Sequence, residues 1–192
     1  MNGDRPNAES ERTVRFALRA DLLVAVSAMI FSAIVAVAAV YQTRVIANQL
    51  SASVWPYLSF TDSDSDKLFR YQLVNNGLGP AIIDSATLSL DGKPKASVRD
   101  AGFAILVHVP NHTSMSTSSV GDGDVIRPGE SLELLRFSGP GARALAAASR
   151  RRLIVSVCYC SLLNQCWIVA SGAASERPRP VARCQERPGF GA

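Results

Sequence analysis

The chain has 192 residues, which is room for one ordinary domain and an anchor or a tail. Hydrophobic residues make up 47% of it and charged residues 19%, which excludes a disordered chain and a nucleic-acid-binding tail. A mean hydropathy of +0.12 predicts one concentrated apolar segment. With only two histidines and four cysteines, the chain offers little material for a metal cluster or a catalytic triad, so we expect no cofactor and no enzymatic activity.

The apolar segment lies near the amino terminus, at residues 22–41, and contains no charge, proline or glycine: LLVAVSAMIFSAIVAVAAVY. Helical residues rise about 1.5 Å each, so this length matches the roughly 30 Å hydrocarbon core of a bilayer. The sequence therefore predicts a transmembrane helix over 22–41, with the lipid bilayer as its first partner. Residues 1–21 form a tail before it.

A cleaved signal peptide is the alternative to an uncleaved signal anchor. The apolar segment is longer than the about 7–15 residues typical of a signal peptide, and the region before it carries as many acidic as basic residues. Alanines near the end of the segment, such as Ala36 and Ala38, could still mimic a cleavage site. The sequence favours the anchor and leaves cleavage open.

The distribution of basic residues predicts the orientation of the anchor. Four arginines precede the segment, whereas Arg44 is the only basic residue between it and Lys67. Because lysine and arginine favour the cytoplasmic side, we expect a cytoplasmic amino terminus. This predicts a single-pass protein of the bacterial inner membrane with its carboxy-terminal domain in the periplasm.

Beyond the anchor the pattern changes from helical to β. Good helix formers at 42–54 predict a juxtamembrane helix, and Pro56 ends it. The period-two segments and the capping box that begins at Ser97 then predict these elements: strands at 55–60, 68–75, 81–90, 131–137, 152–160 and 165–170, an edge strand within 113–120, and helices at 97–107 and 141–150. We expect a mainly β fold, an antiparallel β-sandwich over 55–170, followed by an irregular tail over 171–192.

Four stretches carry a resemblance to known proteins, VWPYLSF, YQLVNNGLGPA, LDGK and RPGESLEL, and the residues that match are 54–91 and 127–137. They are similar to a class of bacterial single-span envelope proteins of uncharacterised function. In that class a Pro-Tyr strand leads to an Asn-x-Gly-x-x-Pro-Ala turn, and a Pro-Gly-Glu turn precedes a later strand. The resemblance implies an immunoglobulin-like β-sandwich and implies almost nothing about activity. No cysteine precedes Cys158, which excludes the inter-sheet disulfide of antibody domains.

All four cysteines fall late in the chain. If the domain is exported, an oxidising compartment makes disulfides the expectation. Cys160 and Cys166 flank the hairpin-sized loop SLLNQ, so a local bridge between them is the first choice. Cys158 would then pair with Cys184 and connect the tail to the last strands. Four cysteines permit three pairings, and the sequence alone does not choose among them.

A periplasmic metal-handling or thiol-redox protein is the alternative from another class. His108, His112 and Met115 are ligand types that copper accepts together with a thiolate, and Cys158 and Cys160 could form a reactive dithiol. A proline between the histidines interrupts any helical register that would align them. The cysteines lie in an apolar strand pattern rather than in an electropositive setting. Solvated loop histidines and structural cysteines are the favoured interpretation.

Asp62, Asp64 and Asp66 alternate as in a calcium-binding loop. Lys67 stands where the sharp turn of such a loop needs glycine, and Leu73 stands where it needs a bidentate glutamate. The spacing therefore predicts a polar turn and no calcium site.

Basic residues concentrate near the carboxy terminus, where eight arginines and two glutamates follow residue 141. Arg143, Arg150, Arg151 and Arg152 could form a patch for anionic headgroups or an acidic partner, or a solvated connection between strands. Without basic residues interleaved with aromatic ones, nucleic acid is not expected as a partner. We expect a non-enzymatic binding or assembly module that engages another membrane or periplasmic protein, as an accessory subunit of an envelope complex.

Overall fold

The structure is a computed structural model that describes residues 8–106, 113–172 and 177–185, with side chains from residue 21 onward except that of Arg151. The chain divides into two compact units, Met1–Leu50 and Ser51–Ala192. The second unit holds both β-sheets and is called the two-sheet domain below.

The described residues of the first unit form one long helix, α1 (Ala8–Ser53), whose last three residues belong to the second unit. Its part from Asp21 to Ser53 is long and apolar enough to cross a membrane, with a mean hydropathy of 2.7 in its most apolar window, none of which is buried. The hydroxyls of Ser27 and Ser32 donate hydrogen bonds of 2.8 Å to carbonyls one turn earlier, so the polar atoms of this stretch are satisfied inside the helix. The predicted apolar helix over 22–41 is confirmed, and it continues without a break to Ser53.

The two-sheet domain contains ten strands and two short helices among the described residues. In chain order they are β1 (Leu58–Ser65), β2 (Leu68–Asn75), β3 (Ala81–Leu90), β4 (Lys93–Pro94), α2 (Val98–Leu106), β5 (Ser114–Thr117), β6 (Val125–Ile126), β7 (Ser131–Ser138), α3 (Ala142–Arg152), β8 (Leu153–Cys160), β9 (Cys166–Ala170) and β10 (Arg179–Val181).

All strand pairs are antiparallel, and the strands form two sheets. The first sheet has the order β1-β2-β7-β5, and the second has the order β10-β9-β8-β3-β4, with β6 also paired to β3. Buried side chains from both sheets and both short helices form one hydrophobic core. Phe69 and Phe137 stack in the first sheet with ring centroids 6.1 Å apart, while Ile105 from α2 and Leu145 from α3 are fully enclosed. Burial of such side chains is the main source of stability for the domain.

The predicted limits of the first and last strands differ from the structure. Trp55, Pro56 and Tyr57 precede β1, and the strand instead continues to Ser65, because residues 58–65 pair along the whole of β2 across a two-residue turn. The tail over 171–192 was expected to be irregular, yet it contributes β10, which pairs with β9. A strand of three residues is too short to show a periodic pattern. Its formation depends on pairing with β9, which the sequence of the tail alone does not reveal.

Candidate functional site

Three loops meet at one end of the two-sheet domain. The segment before β1 contacts the turn between β2 and β3, where the Leu78 N–H donates to the Trp55 carbonyl at 2.9 Å. The register of β3 on β8 pairs Ile82 with Cys160, which places the start of β3 beside the β8–β9 hairpin loop. The three loops therefore share this end.

Asn75 organises two of these loops from inside the protein. Its side chain is fully buried, and its Oδ1 accepts hydrogen bonds from the backbone N–H of Tyr57 at 3.1 Å and of Gly77 at 2.9 Å. Its Nδ2 donates to the carbonyls of Gly79 and Ile126, both at 2.9 Å. One amide thus satisfies four backbone groups from three segments, which explains physically why the Asn-x-Gly-x-x-Pro-Ala stretch makes a sharp crossing.

The glycines of this turn are required by close backbone approach. A Cβ at Gly77 would overlap the backbone from Trp55 to Tyr57, and one at Gly79 would overlap the backbone of Val54. Both glycines let the segment before β1 lie directly on the turn.

The loops at this end expose four large apolar side chains. Their exposed fractions are 42% for Trp55, 72% for Leu78, 58% for Leu162 and 40% for Leu163. We call this surface the apolar end. Sequence reasoning did not identify it, although two leucines within a hairpin loop, where polar residues are usual, were a signal that could have indicated it.

The hairpin loop that carries Leu162 and Leu163 is held rigidly. The sulfurs of Cys160 and Cys166 lie at bonding distance, 2.08 Å, at the base of the loop. The Ser161 hydroxyl accepts hydrogen bonds from the backbone N–H of Leu163 at 3.2 Å and of Gln165 at 3.3 Å. Because the loop is closed by both a disulfide and hydrogen bonds, its two leucines are presented with little conformational freedom to lose on binding.

The second disulfide joins Cys158 to Cys184, with the sulfurs 2.01 Å apart. Both pairings are the ones that the sequence analysis placed first. All four cysteines of the chain are disulfide-bonded, and the sulfurs of Cys160 and Cys184 lie 3.9 Å apart. Three of the four sulfurs lie within 4.8 Å of one another, but in this bonded state none is a thiolate available to a metal.

Met115 is the other candidate metal ligand that the structure describes, and it does not lie with the cysteines. Met115 lies in β5, in the first sheet, and packs against the hydrophobic core. His108 and His112 lie outside the described residues. Cys158 and Cys160 are bonded to different partners and do not form a dithiol with each other.

Three of the four arginines predicted as a partner surface are paired with the protein's own carboxylates. Arg143 binds Asp66 at 2.9 Å, and Arg152 binds Asp91 through its Nε and Nη2 at 2.7–3.1 Å. The hydrogen bond from Arg152 lowers the pKa of Asp91 below its usual range. The side chain of Arg151 lies outside the described residues. This pairing offsets the positive charge of the patch.

Arg150 makes the most extensive of these contacts. Its Nε bonds to the Asp62 carboxylate and its Nη2 lies 3.3 Å from Asp64, which raises the pKa of the guanidinium above its usual value. It also lies 6.0 Å from the centre of the Phe69 ring, within reach of a cation–π contact. The predicted polar turn is wrong for Asp62 and Asp64, which belong to β1 and bind Arg150, whereas Asp66 lies in the β1–β2 turn and binds Arg143.

Comparison of the chain with protein-family models, with curated proteins and with solved structures finds no match. The geometry described above is therefore the basis for assigning a function.

Proposed function

We propose that the protein is a membrane-anchored, non-enzymatic binding or assembly module whose apolar end docks on another envelope protein. The anchor is the apolar part of α1, and the amino terminus is cytoplasmic because basic residues precede the span. The two-sheet domain lies in the periplasm, where its disulfides are stable. In this role it serves as an accessory subunit of an envelope complex.

The exposed apolar end is the observation that carries the proposal. Monomeric proteins scatter single apolar residues over their surface, whereas clustered ones that sit on ordered loops mark interaction sites. Leu162 and Leu163 project from a loop closed by a disulfide, and Leu78 projects from the turn held by Asn75. A preordered apolar surface of this kind suits a protein partner, because large side chains in rigid positions give most of the energy of an interface.

We further propose that the two sheets form an immunoglobulin-like sandwich of the kind found in bacterial single-span envelope proteins. Two antiparallel sheets around a single core support it, and so does the buried Asn75 in the turn that carries the resemblance. The absence of an inter-sheet disulfide does not oppose it, since Leu58 and Tyr159 join the sheets by a 3.2 Å hydrogen bond.

Site-specific photocrosslinking in the native membrane tests the docking surface. A photoreactive amino acid at Leu163 or Leu78 should give a discrete crosslinked species. The matched control is Lys67, which is exposed in the β1–β2 turn at the other end of β1 and β2 and should give none. No product at either leucine, or equal products at Lys67, would contradict docking through the apolar end.

Thiol titration separates this function from the metal-handling or thiol-redox alternative. A structural role for the cysteines predicts no reactive thiol in the isolated protein, with or without denaturant, because all four sulfurs are bonded. Reactive thiols or bound copper in the protein purified without reductant would favour the alternative instead.

A further inference from the structure

A groove lies on the outer face of the second sheet. Its volume is about 370 Å³. The tail after β9 forms one wall, and β3 and β8 form the floor. We call it the tail groove, and its polar lining comes from Ser85, Thr87, Ser156, Arg179 and Arg183.

The strand register explains why three hydroxyls face this groove together. Thr87 of β3 lies opposite Ser156 of β8, and Ser85 lies opposite Cys158 one step further along the same face. Their neighbours in the sequence, such as Ala86 and Val157, point into the core. Alternation along both strands thus places hydroxyls outward and apolar side chains inward.

The tail brings two arginines over these hydroxyls. Arg179 belongs to β10, where it pairs with Ile168 of β9, and Arg183 follows the end of that strand. The bond from Cys184 to Cys158 fixes the segment on the sheet. The Ser85 hydroxyl also donates a 3.4 Å hydrogen bond to the Gln185 carbonyl, which holds the tail at the far side of the groove.

The charge of the tail groove is unbalanced within the described residues. Arg179 and Arg183 are both exposed and form no ion pair with any described residue, in contrast to Arg143, Arg150 and Arg152. None of the described residues that line the groove is acidic. Two guanidinium groups and the hydroxyls of Thr87 and Ser156 therefore line one cavity as hydrogen-bond donors, while the Ser85 hydroxyl donates to the Gln185 carbonyl.

We propose that the tail groove binds a phosphate group. Guanidinium groups bind phosphate oxygens bidentately, and hydroxyls from the strands below supply further donors to the remaining oxygens. A tetrahedral phosphate accepts hydrogen bonds from more donor groups than a carboxylate or a halide does. The volume also exceeds that of a bare anion, so the phosphate belongs to a small organic phosphate or to a lipid headgroup.

The test uses the full-length protein in a nonionic detergent, titrated with inorganic phosphate at constant ionic strength by calorimetry. We expect saturable binding whose affinity falls tenfold or more in Arg179→Gln and in Arg183→Gln. The control is Arg99→Gln, which removes the same charge from an exposed position on α2 and should change the affinity less than twofold.

A second titration identifies the source of the phosphate. Dihexanoyl-phosphatidylglycerol, used as a monomer below its micelle concentration, replaces inorganic phosphate on the same variants. Tighter binding of inorganic phosphate than of the lipid indicates a small organic phosphate, whereas tighter binding of the lipid indicates a headgroup, and either supports the proposal if the arginine variants weaken it. No saturable binding of either probe, or equal losses in Arg99→Gln, would overturn it.

The disulfides give an independent check. Cys158→Ser with Cys184→Ser frees the tail and should abolish phosphate binding, while Cys160→Ser with Cys166→Ser keeps the groove and should preserve it. Retained binding in the first pair would overturn the proposal. Neither pair changes Leu78, so photocrosslinking there reports the docking function separately from phosphate binding.

Discussion

Single residues connect the two sheets, and Asn75 is the clearest case. Replacing it with alanine would leave the Tyr57 and Gly77 N–H groups and the Gly79 and Ile126 carbonyls without their partner. We expect Asn75→Ala to lower the free energy of unfolding by about 3 kcal/mol or more, because each buried unsatisfied group costs about 1–3 kcal/mol. Denaturant unfolding, followed by tryptophan fluorescence, measures this loss in the free energy of unfolding.

Both tryptophans of the chain, Trp55 and Trp167, lie in the two-sheet domain, so this signal reports that domain. Asn76→Ala is the control, because the exposed Asn76 amide bonds only to the Ser59 hydroxyl, at 2.7 Å. It should change stability by less than about 1 kcal/mol. Equal losses in the two variants would show that Asn75 does not organise the turn.

The buried phenol of Tyr159 allows a prediction of how the free energy of unfolding depends on pH in the alkaline range. Burial raises the pKa of this phenol to about 12, although the hydrogen bond from the Leu58 N–H opposes the shift. The folded protein therefore retains a proton that the unfolded chain, with a tyrosine pKa of about 10, releases. The contribution of this phenol to the free energy of unfolding is therefore fully present below about pH 10 and is lost as the pH rises toward 12.

Tyr159→Phe keeps the ring that stacks on Trp167, with centroids 5.9 Å apart, but removes the titrating hydroxyl. We expect a loss of about 1 kcal/mol at neutral pH from the unpaired Leu58 N–H. Unfolding curves between pH 8 and pH 11 should then show a shallower alkaline decline than in the wild type. A decline as steep as that of the wild type would assign the pH dependence to other groups.

At the scale of elements, the two disulfides close loops of different length. Cys158 and Cys184 are 26 residues apart, and Cys160 and Cys166 are 6 apart. Chain entropy predicts contributions of about 3.5 and about 2 kcal/mol, respectively. Replacing the first pair with serines should therefore destabilise the domain more than replacing the second, as measured by urea midpoints. The reverse order would indicate that the tail adds little to the fold.

The elements that could be predicted are those that carry their own pattern. Strands β2 and β3 have the predicted limits, because alternating apolar residues end at turn residues such as the Asp91–Gly92 pair. Ser97 is also confirmed as the cap of α2, since its hydroxyl accepts a hydrogen bond from the Asp100 N–H at 3.1 Å, which is one half of the predicted capping box. The strands β4 and β6 have two residues each, which is too short for an alternating pattern to be recognised in the sequence.

The candidate sites were less predictable because their residues are distant along the chain. Arg143 is 77 positions from Asp66, and Arg150 is 88 from Asp62, so a sequence that shows clustered arginines does not show that they are neutralised. The position of the β2–β3 turn at the same end as the β8–β9 hairpin likewise depends on the pairing of β3 with β8. Loops and surfaces follow from tertiary contacts, whereas strands follow from local alternation.

At the scale of the whole molecule, oxidised cysteines and the membrane anchor support each other. Disulfides persist in oxidising compartments, and basic residues before an apolar helix favour the cytoplasmic amino terminus proposed above. Either feature alone admits a cytoplasmic alternative. The topology proposed above requires that every cysteine lie on the far side of the membrane from the amino terminus.

This requirement gives a prediction for intact spheroplasts. A membrane-impermeant maleimide should not label the protein until an impermeant phosphine has reduced the two disulfides, after which it should label all four cysteines. Ser10→Cys, in the predicted cytoplasmic tail, is the control, and it should react without reductant only after lysis. Labelling of Ser10→Cys in intact spheroplasts would reverse the orientation, because a charged reagent that cannot cross the bilayer reaches only the outer side.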